Sequence, residues 1–442
     1  MNKQQGAAAL LVVSVLLVAA LMMSLGSYKS LFYQIKRANN QIEARQEHWR
    51  AEGGLECAFA LVQETGSVPT PIQLDVCSSS LTLSKASQYL TVVSESGFAE
   101  ITKVIRFAGR NGAGAIQTTA DLYLNGSNSI SPDPLKEAST TNKWQCRAVT
   151  YSSKLQVFGN LQNKGLTDSA KPYVDFPSGQ GCDSGHQSTV TSSPTSSQKD
   201  FLLDASQQPF ENFFAEKRED WFKVMSNEEF VKVSATSLTK SSGEMKFTQQ
   251  TLPVPSRVDD CGTQIKNIID NGKDLIWIYG NCHLTGTDLS NIGTAINTYT
   301  PSGVILVAHN GLFTTSGALT FKGLLFHFVS GETDNSGNFH PDFTPSSASW
   351  TSSSSTVQDD LEALKLVLNG HVANFTPKPA DTDIVYYQQG AFFPSGGYVM
   401  DAPGQAAIFG AALDLYFDGN AIDVPLSRIL KTKWKKGSWN DL

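Results

Sequence analysis

The residues with the clearest chemistry are six cysteines, Cys57, Cys77, Cys146, Cys182, Cys261 and Cys282, all beyond an apolar N-terminal segment. They contain no C-x-x-C pair, so the two close ligand pairs of a zinc site are missing. Their number is even and, taken as three successive pairs, the two members of each pair stand 20, 36 and 21 positions apart, a pattern that reads as three disulfides in an oxidising compartment. Six cysteines allow fifteen connectivities, of which pairing between neighbours is the first to test. Other candidates are thinner. His309 and His327 would share a face if short strands recurred every six residues, which would make them a metal pair; scattered single histidines are the plainer reading. Asp334, Asn335, Ser336 and Asn338 have calcium-loop character but lack a glutamate at twelve-residue reach. Calcium is therefore the only cofactor the sequence leaves open. Asp359 and Asp360 read as the first turn of a helix, where the helix dipole accounts for them. There is no phosphate loop, no H-E-x-x-H and no G-x-S-x-G. No catalytic constellation forms, and the chain reads as a non-enzyme.

Composition agrees with an exported, β-rich protein. Charged residues make up only 17% of the 442 residues while aromatics reach 10%, enough for a large interior beneath a polar, weakly charged surface. A formal net charge of −7 argues against a general nucleic-acid binder.

These groups must be held by an anchor and a head. From Ala7 to Gly26 no residue is charged, and a helix of that length spans about 30 Å, one bilayer core. A secretory signal has a shorter apolar core and a small-x-small site behind it. Here Met1–Gly6 is polar and ends in glycine directly before the apolar run, so cleavage between Gly6 and Ala7 would leave the whole helix on the mature chain. Lys29, Lys36 and Arg37 follow the helix while Lys3 precedes it, which by the positive-inside rule places the C-terminal side in the cytoplasm. The cysteines require the opposite orientation and take precedence.

A polar leader ending in glycine, an apolar run of this length and a long amphipathic continuation resemble a type IV prepilin. The continuation is similar to that of the large PilX-type minor pilins and the K-type minor pseudopilins of type II secretion. Their AR-x(n)-AE-x-G-x-E-x-A stretch is matched by Ala44, Arg45, Ala51, Glu52, Gly54, Glu56 and Ala58. The resemblance covers residues 1 to about 63 and implies peptidase processing at Gly6, N-methylation of Ala7, and a pilin fold with the helix packed on an antiparallel sheet. It implies an inner-membrane, single-pass protein with a periplasmic C-terminal domain, later at a pilus tip on the cell surface. The partners it implies are other minor pilins, the major pilin, the prepilin peptidase and the inner-membrane assembly platform, with a surface receptor or DNA at the tip. One position departs from the pattern: the fifth mature residue is Leu11, where most pilins carry a glutamate thought to neutralise a neighbouring subunit's amine. K-type pseudopilins lack it too and are considered tip subunits; they also bind calcium. The resemblance therefore implies a minor pilin that primes a filament and sits at its tip. The alternatives are a tip adhesin or DNA-uptake subunit, and a K-type pseudopilin.

The expected fold class is α+β, a pilin fold with a large β-rich, solenoid-like C-terminal domain. The expected divisions are a leader 1–6, an N-terminal helix 7–63 with 7–26 transmembrane, a pilin-like β domain 64–135, a turn-rich and helical connection 136–271 and a β-rich domain 272–442. Leu31, Ile35, Ile42, Trp49, Leu55, Phe59 and Val62 form one apolar stripe meant to lie on a sheet, with Gly53-Gly54 a bend or close-packing point. Residues 86–124 read as antiparallel strands with turns at Ser96-Gly97 and Gly109–Gly114. Cys57–Cys77 would tie the helix end to the loop before them. Ser184–Ser197 reads as a flexible Ser/Thr-rich loop, residues 209–230 as a helix begun at Pro209, and Thr263–Asn271 as a helix stopped by Gly272. Gly280 and Gly286, then Gly311, Gly317 and Gly323, stand six positions apart, which suggests stacked strands with glycine corners; an ordinary sandwich is the alternative. The stretch from Trp277 to Gly286 and that from Gly317 to Gly323 resemble the C-terminal pattern of the PilX-type proteins. After a second Ser/Thr-rich loop at 344–356, a helix is expected from Thr356, capped by Asp359, to Gly370. The tail with Lys431, Lys433, Trp434, Lys435, Lys436 and Trp439 reads as a solvated terminal strand.

Overall fold

The computed structural model describes residues 4–65, 74–77, 79–86, 89–106, 114–132, 134–137, 142–166, 179–236, 238, 253–429, 433–435, 437–438 and 440–441. The part of the expected turn at Gly109–Gly114 before Gly114, and Lys431, Lys436 and Trp439 of the tail, lie outside them. The protein is a mixed α+β chain of two compact units, residues 1–107 with 432–442, and residues 108–431. These limits differ from the divisions expected at 135 and 271. They follow from which strands pair, and that is set by long-range register.

In the smaller unit one helix, α1 (Gln4–Thr65), meets three antiparallel strands, β1 (Ser80–Ala86), β2 (Tyr89–Ser96) and β3 (Ala99–Arg106). The tail completes the sheet: Lys433–Trp434 and Asn440–Asp441 both run antiparallel to β3, with Lys433 opposite Arg106. Only the end of α1 is seated. Ala51, Leu55, Ala58 and Val62 are fully buried with Leu90, Val92, Ile101 and Ile105. The expected stripe therefore divides. Leu55 and Val62 pack, whereas Leu31, Ile35, Ile42 and Trp49 remain more than half exposed. The helix runs through Gly53-Gly54 without interruption. Gly54 is a close-packing point, because a Cβ there would stand 1.6 Å from Ser79 Oγ.

The larger unit is built from two long sheets. The first runs, neighbour to neighbour, through 201–203, 149–151, 116–118, 398–401, 323–328, 304–309, 275–279 and 231–234, every pair parallel. The second runs through 189–190, 155–163, 121–131, 406–409, 384–389, 313–316, 281–285 and 257–258, parallel except for its first pair. Their inward side chains, among them Ile276, Ile278, Leu306 and Leu325 from one sheet and Leu124, Leu284, Phe313 and Tyr386 from the other, share one core. The segment 115–124, expected as a strand of the antiparallel sheet, is divided between these two sheets, 116–118 in the first and the start of 121–131 in the second.

Chain order and stack order differ in an informative way. The chain enters mid-stack at 116, steps outward to 201–203, crosses through the helical segment 209–225, restarts at the far end with 231–234 and winds back to 398–409. Those last strands pair with the first ones, Tyr398 opposite Ile116 and Ala406 opposite Asp121. Glycines allow successive strands to turn at the same height. A Cβ on Gly311 would lie 2.0 Å from the Gly280 carbonyl oxygen, and one on Gly390 (φ +103°) 2.3 Å from that of Gly317.

Several helical expectations are revised. Residues 209–230 form two short helices, Pro209–Phe214 and Trp221–Met225, parted at Ala215 in the left-handed region. The helix near 263 begins at Cys261 and ends at Asp270. The last long helix is Ser355–Val372; Gly370 lies inside it, its N-cap is Ser354, and Thr356 and Asp359 make no capping pair. Asp359 and Asp360 consequently lie beyond its first turn.

Candidate functional site

The candidate site is the anchor helix and the seat that holds its C-terminal end. An apolar helix free of partners over its first forty residues can only be satisfied by lipid or by other helices. Leu11 is 65% and Val13 55% exposed, and a span over Ala8–Gln63 is long and apolar enough to cross a membrane. The backbone is already helical at Gly6 and Ala7. The Ser14 hydroxyl donates to the Leu11 carbonyl at 2.8 Å, so the apolar run carries no unsatisfied hydroxyl there.

The seat explains most of the A-E-x-G-x-E-x-A stretch physically. Ala51, Gly54 and Ala58 are the small residues on the face towards the sheet, and their size lets the helix approach β2 closely. Glu52 and Glu56, one turn apart, flank the ammonium of Lys103 on β3 at 3.7 and 3.5 Å. Lys103 is 8% exposed, so its charge needs these carboxylates. The same ammonium stands 5.2 Å from the Trp434 ring centroid, and Trp434 stacks on Phe59 of α1 at 4.7 Å. The tail thus closes over the helix end. Cys57–Cys77 bonds the helix to the loop ahead of β1. Ala44 and Arg45 are exposed and take no part in the seat.

All six cysteines are bonded in neighbour pairs: Cys57–Cys77, Cys146–Cys182 and Cys261–Cys282. The third joins helix 261–270 to strand 281–285.

The calcium-like loop forms the tip of a small hairpin, Gly331–Thr333 with Phe339–Pro341. Both Asp334 oxygens are in use: Oδ1 accepts from the Ser336 and Asn338 amides at 2.9 and 2.8 Å, and Oδ2 accepts from Asn338 Nδ2 and His340. The Asn338 amide first, then His340, holds this carboxyl well below the usual carboxylate range. Among the described residues no group of three or more His, Cys, Asp or Glu side chains is placed to hold a metal ion. His309 and His327 lie on adjacent strands, but Ala308 pairs with His327 and His309 with Phe328. The two rings therefore point to opposite faces and cannot share an ion. His309 is packed by Trp221, Trp277, Tyr279 and Phe328, and His327 bonds the Gly311 carbonyl.

One polar centre had no sequence signal. Asp401, 2% exposed at the end of strand 398–401, takes Arg218 Nη1 at 2.6 Å, Thr119 Oγ1 at 3.1 Å and the Phe210 amide at 3.2 Å. It joins the first strands, the crossing segment and the last strands of the larger unit at one carboxylate. Replacing Asp401 by alanine leaves a largely buried guanidinium unpaired, and the expected loss is about 3–5 kcal/mol of stability in chemical denaturation. A change below about 1 kcal/mol would show that the clasp is not holding the stack.

In comparisons with protein-family models, curated proteins and solved structures, nothing matches this chain.

Proposed function

We propose that this protein is a minor pilin-type subunit that primes assembly of a filament of the type IV class and sits at its tip. The observation that carries the reading is the division of α1. Its uncharged first part is exposed and of membrane-spanning length, while its last turns are fixed to an antiparallel sheet by small residues, a buried ion-pair cluster and a disulfide. In this reading peptidase cleavage follows Gly6, Ala7 becomes the methylated N-terminus, and the freed helix passes from the membrane into the apolar core of a filament. The three disulfides support a periplasmic and then surface location for everything beyond the helix. The two long parallel sheets, with their stacked glycines, support reading the larger unit as a solenoid-like head.

Leu11 gives the reading its position in the filament. A subunit with leucine at the fifth mature residue offers no carboxylate to a neighbour's amine. Repeated along a shaft, that would leave buried unpaired charges costing several kcal/mol each; at the tip nothing lies ahead to be neutralised. The size of the larger unit favours a second role for the same subunit, adhesion or DNA capture by an exposed head. Deleting the gene and imaging filaments separates the two. Loss of filaments supports priming, and normal filaments that no longer attach or take up DNA support capture alone. Gold label against the larger unit is expected at filament ends only, and label distributed along shafts contradicts the tip position.

A further inference from the structure

Two loops of this chain are rich in serine and threonine, and they use their hydroxyls in opposite ways. In the second, residues 344–356, the hydroxyls are internal fasteners. Ser352 and Ser353 donate to Asp259 at 2.6 and 3.1 Å, Thr351 donates to the Ala348 carbonyl at 2.9 Å, and Ser346 and Ser349 form a capping box. In the first, residues 191–197 (TSSPTSS), all six hydroxyl side chains are exposed. Only Thr195 and Ser197 are engaged, with each other and with Gln198. Thr191, Ser192, Ser193 and Ser196 make no hydrogen bond among the described residues.

This first loop is a built display and not a slack connection. Its base is closed where the Ser188 amide donates to Asp200 Oδ2 at 2.8 Å, and Asp200 is fully buried with Asn163 Nδ2 at 3.1 Å on the same oxygen. One flank, Thr189–Val190, is paired to strand 155–163, and the Cys146–Cys182 bridge lies just ahead. Between Asp183 and Asp200 the only charged residue is Lys199. Pro194 lacks the amide that would let the segment join a ladder.

We propose that residues 191–197 are an acceptor segment for O-linked saccharide. An exported segment of serine, threonine and proline in which four of six hydroxyls do nothing for the fold is what such a transfer requires. The hydroxyl oxygen of an acceptor residue bonds to the anomeric carbon of a phosphate-activated sugar. The bond from that carbon to the phosphate oxygen breaks, the phosphate or pyrophosphate carrier leaves with the electron pair, and the hydroxyl proton goes to a base of the transferring enzyme. The proposal rests on the reading that this unit is exported.

The test uses full-length protein purified from its own cells. Electron-transfer fragmentation of the tryptic peptide ending at Lys199 is expected to place saccharide mass increments on one or more of Thr191, Ser192, Ser193 and Ser196. A variant with all six hydroxyl residues of 191–197 changed to alanine is expected to lose the saccharide stain completely, while S352A/S353A keeps it. An unmodified peptide from protein whose three disulfides are intact overturns the proposal and leaves export standing. Free thiols in the same preparation remove the export reading and the proposal with it. A phosphate increment in place of saccharide, or saccharide found only on 344–356, also overturns it.

Discussion

Removing residues 107–432 and joining Arg106 to Lys433 by a short Asn-Gly turn is expected to leave a folded, membrane-anchored protein. Arg106 and Lys433 are Cα partners across an antiparallel pair, the geometry that a two-residue hairpin turn bridges. The core of the smaller unit is made of its own residues, from Ala51 and Leu55 on the helix to Ile101 and Ile105 on β3, with Trp434 from the tail covering Phe59. The larger unit is thus an insertion between two neighbouring strands. Closing a short loop costs less chain entropy than closing one of more than three hundred residues, so excision should not weaken the sheet. The excised protein is expected to show a formed Cys57–Cys77 bond, a cooperative unfolding transition and membrane association. A protease-sensitive, reduced product would contradict the division into two units. Ending the full chain at Ile429, or the excised protein at Arg106, removes the tail strands and is expected to destabilise the smaller unit in both backgrounds.

Mild acid is expected to destabilise the larger unit strongly. His283 and His327 are pushed down to about 4 by burial, with Arg257 adding to the effect at His283, and burial holds His309 well below its ordinary value. The folded state therefore holds these rings neutral while the unfolded chain protonates them near pH 6.5. As the pH falls from about 6.5 towards 4 the unfolded state binds more protons than the folded one, so stability falls. Each depression to about 4 is worth roughly 3 kcal/mol once complete. Denaturation midpoints measured across this window should drop steadily, and His327→Gln, which can still donate to the Gly311 carbonyl, should flatten the slope. A midpoint that is constant between pH 6.5 and 4 would contradict the buried, neutral assignment.

Local chemistry was legible in the sequence and long-range pairing was not. The six cysteines pointed to three bridges because count and spacing are local facts, and their neighbour pairing is what the structure contains. The glycine hexads fall at strand ends: Gly280 and Gly286 bracket strand 281–285, and Gly311 and Gly317 bracket strand 313–316. The segment 115–124 is legible as β structure, but not its division into two strands in two parallel sheets, since their partners lie near 400 and no local pattern reports that. The helix Gly286–Tyr299 was missed even though Thr285 and Asp288 form a capping box ahead of Leu289 and Ile292, a signal present in the sequence. The apolar stripe of α1 was overextended because periodicity identifies an apolar face but not the length of the surface that covers it. The Asp401 clasp was invisible for the same reason as the division of segment 115–124: Thr119, Phe210, Arg218 and Asp401 converge only in the folded stack.

The central claim, that this chain is processed and used as a pilin-type subunit, is tested most directly at its N-terminus. Mass spectrometry of the mature protein from its own cells is expected to find Ala7 as the first residue, carrying a methyl group, with Gly6→Leu leaving the full-length precursor in the membrane. An intact Met1, or a first residue beyond Gly26, would contradict the account.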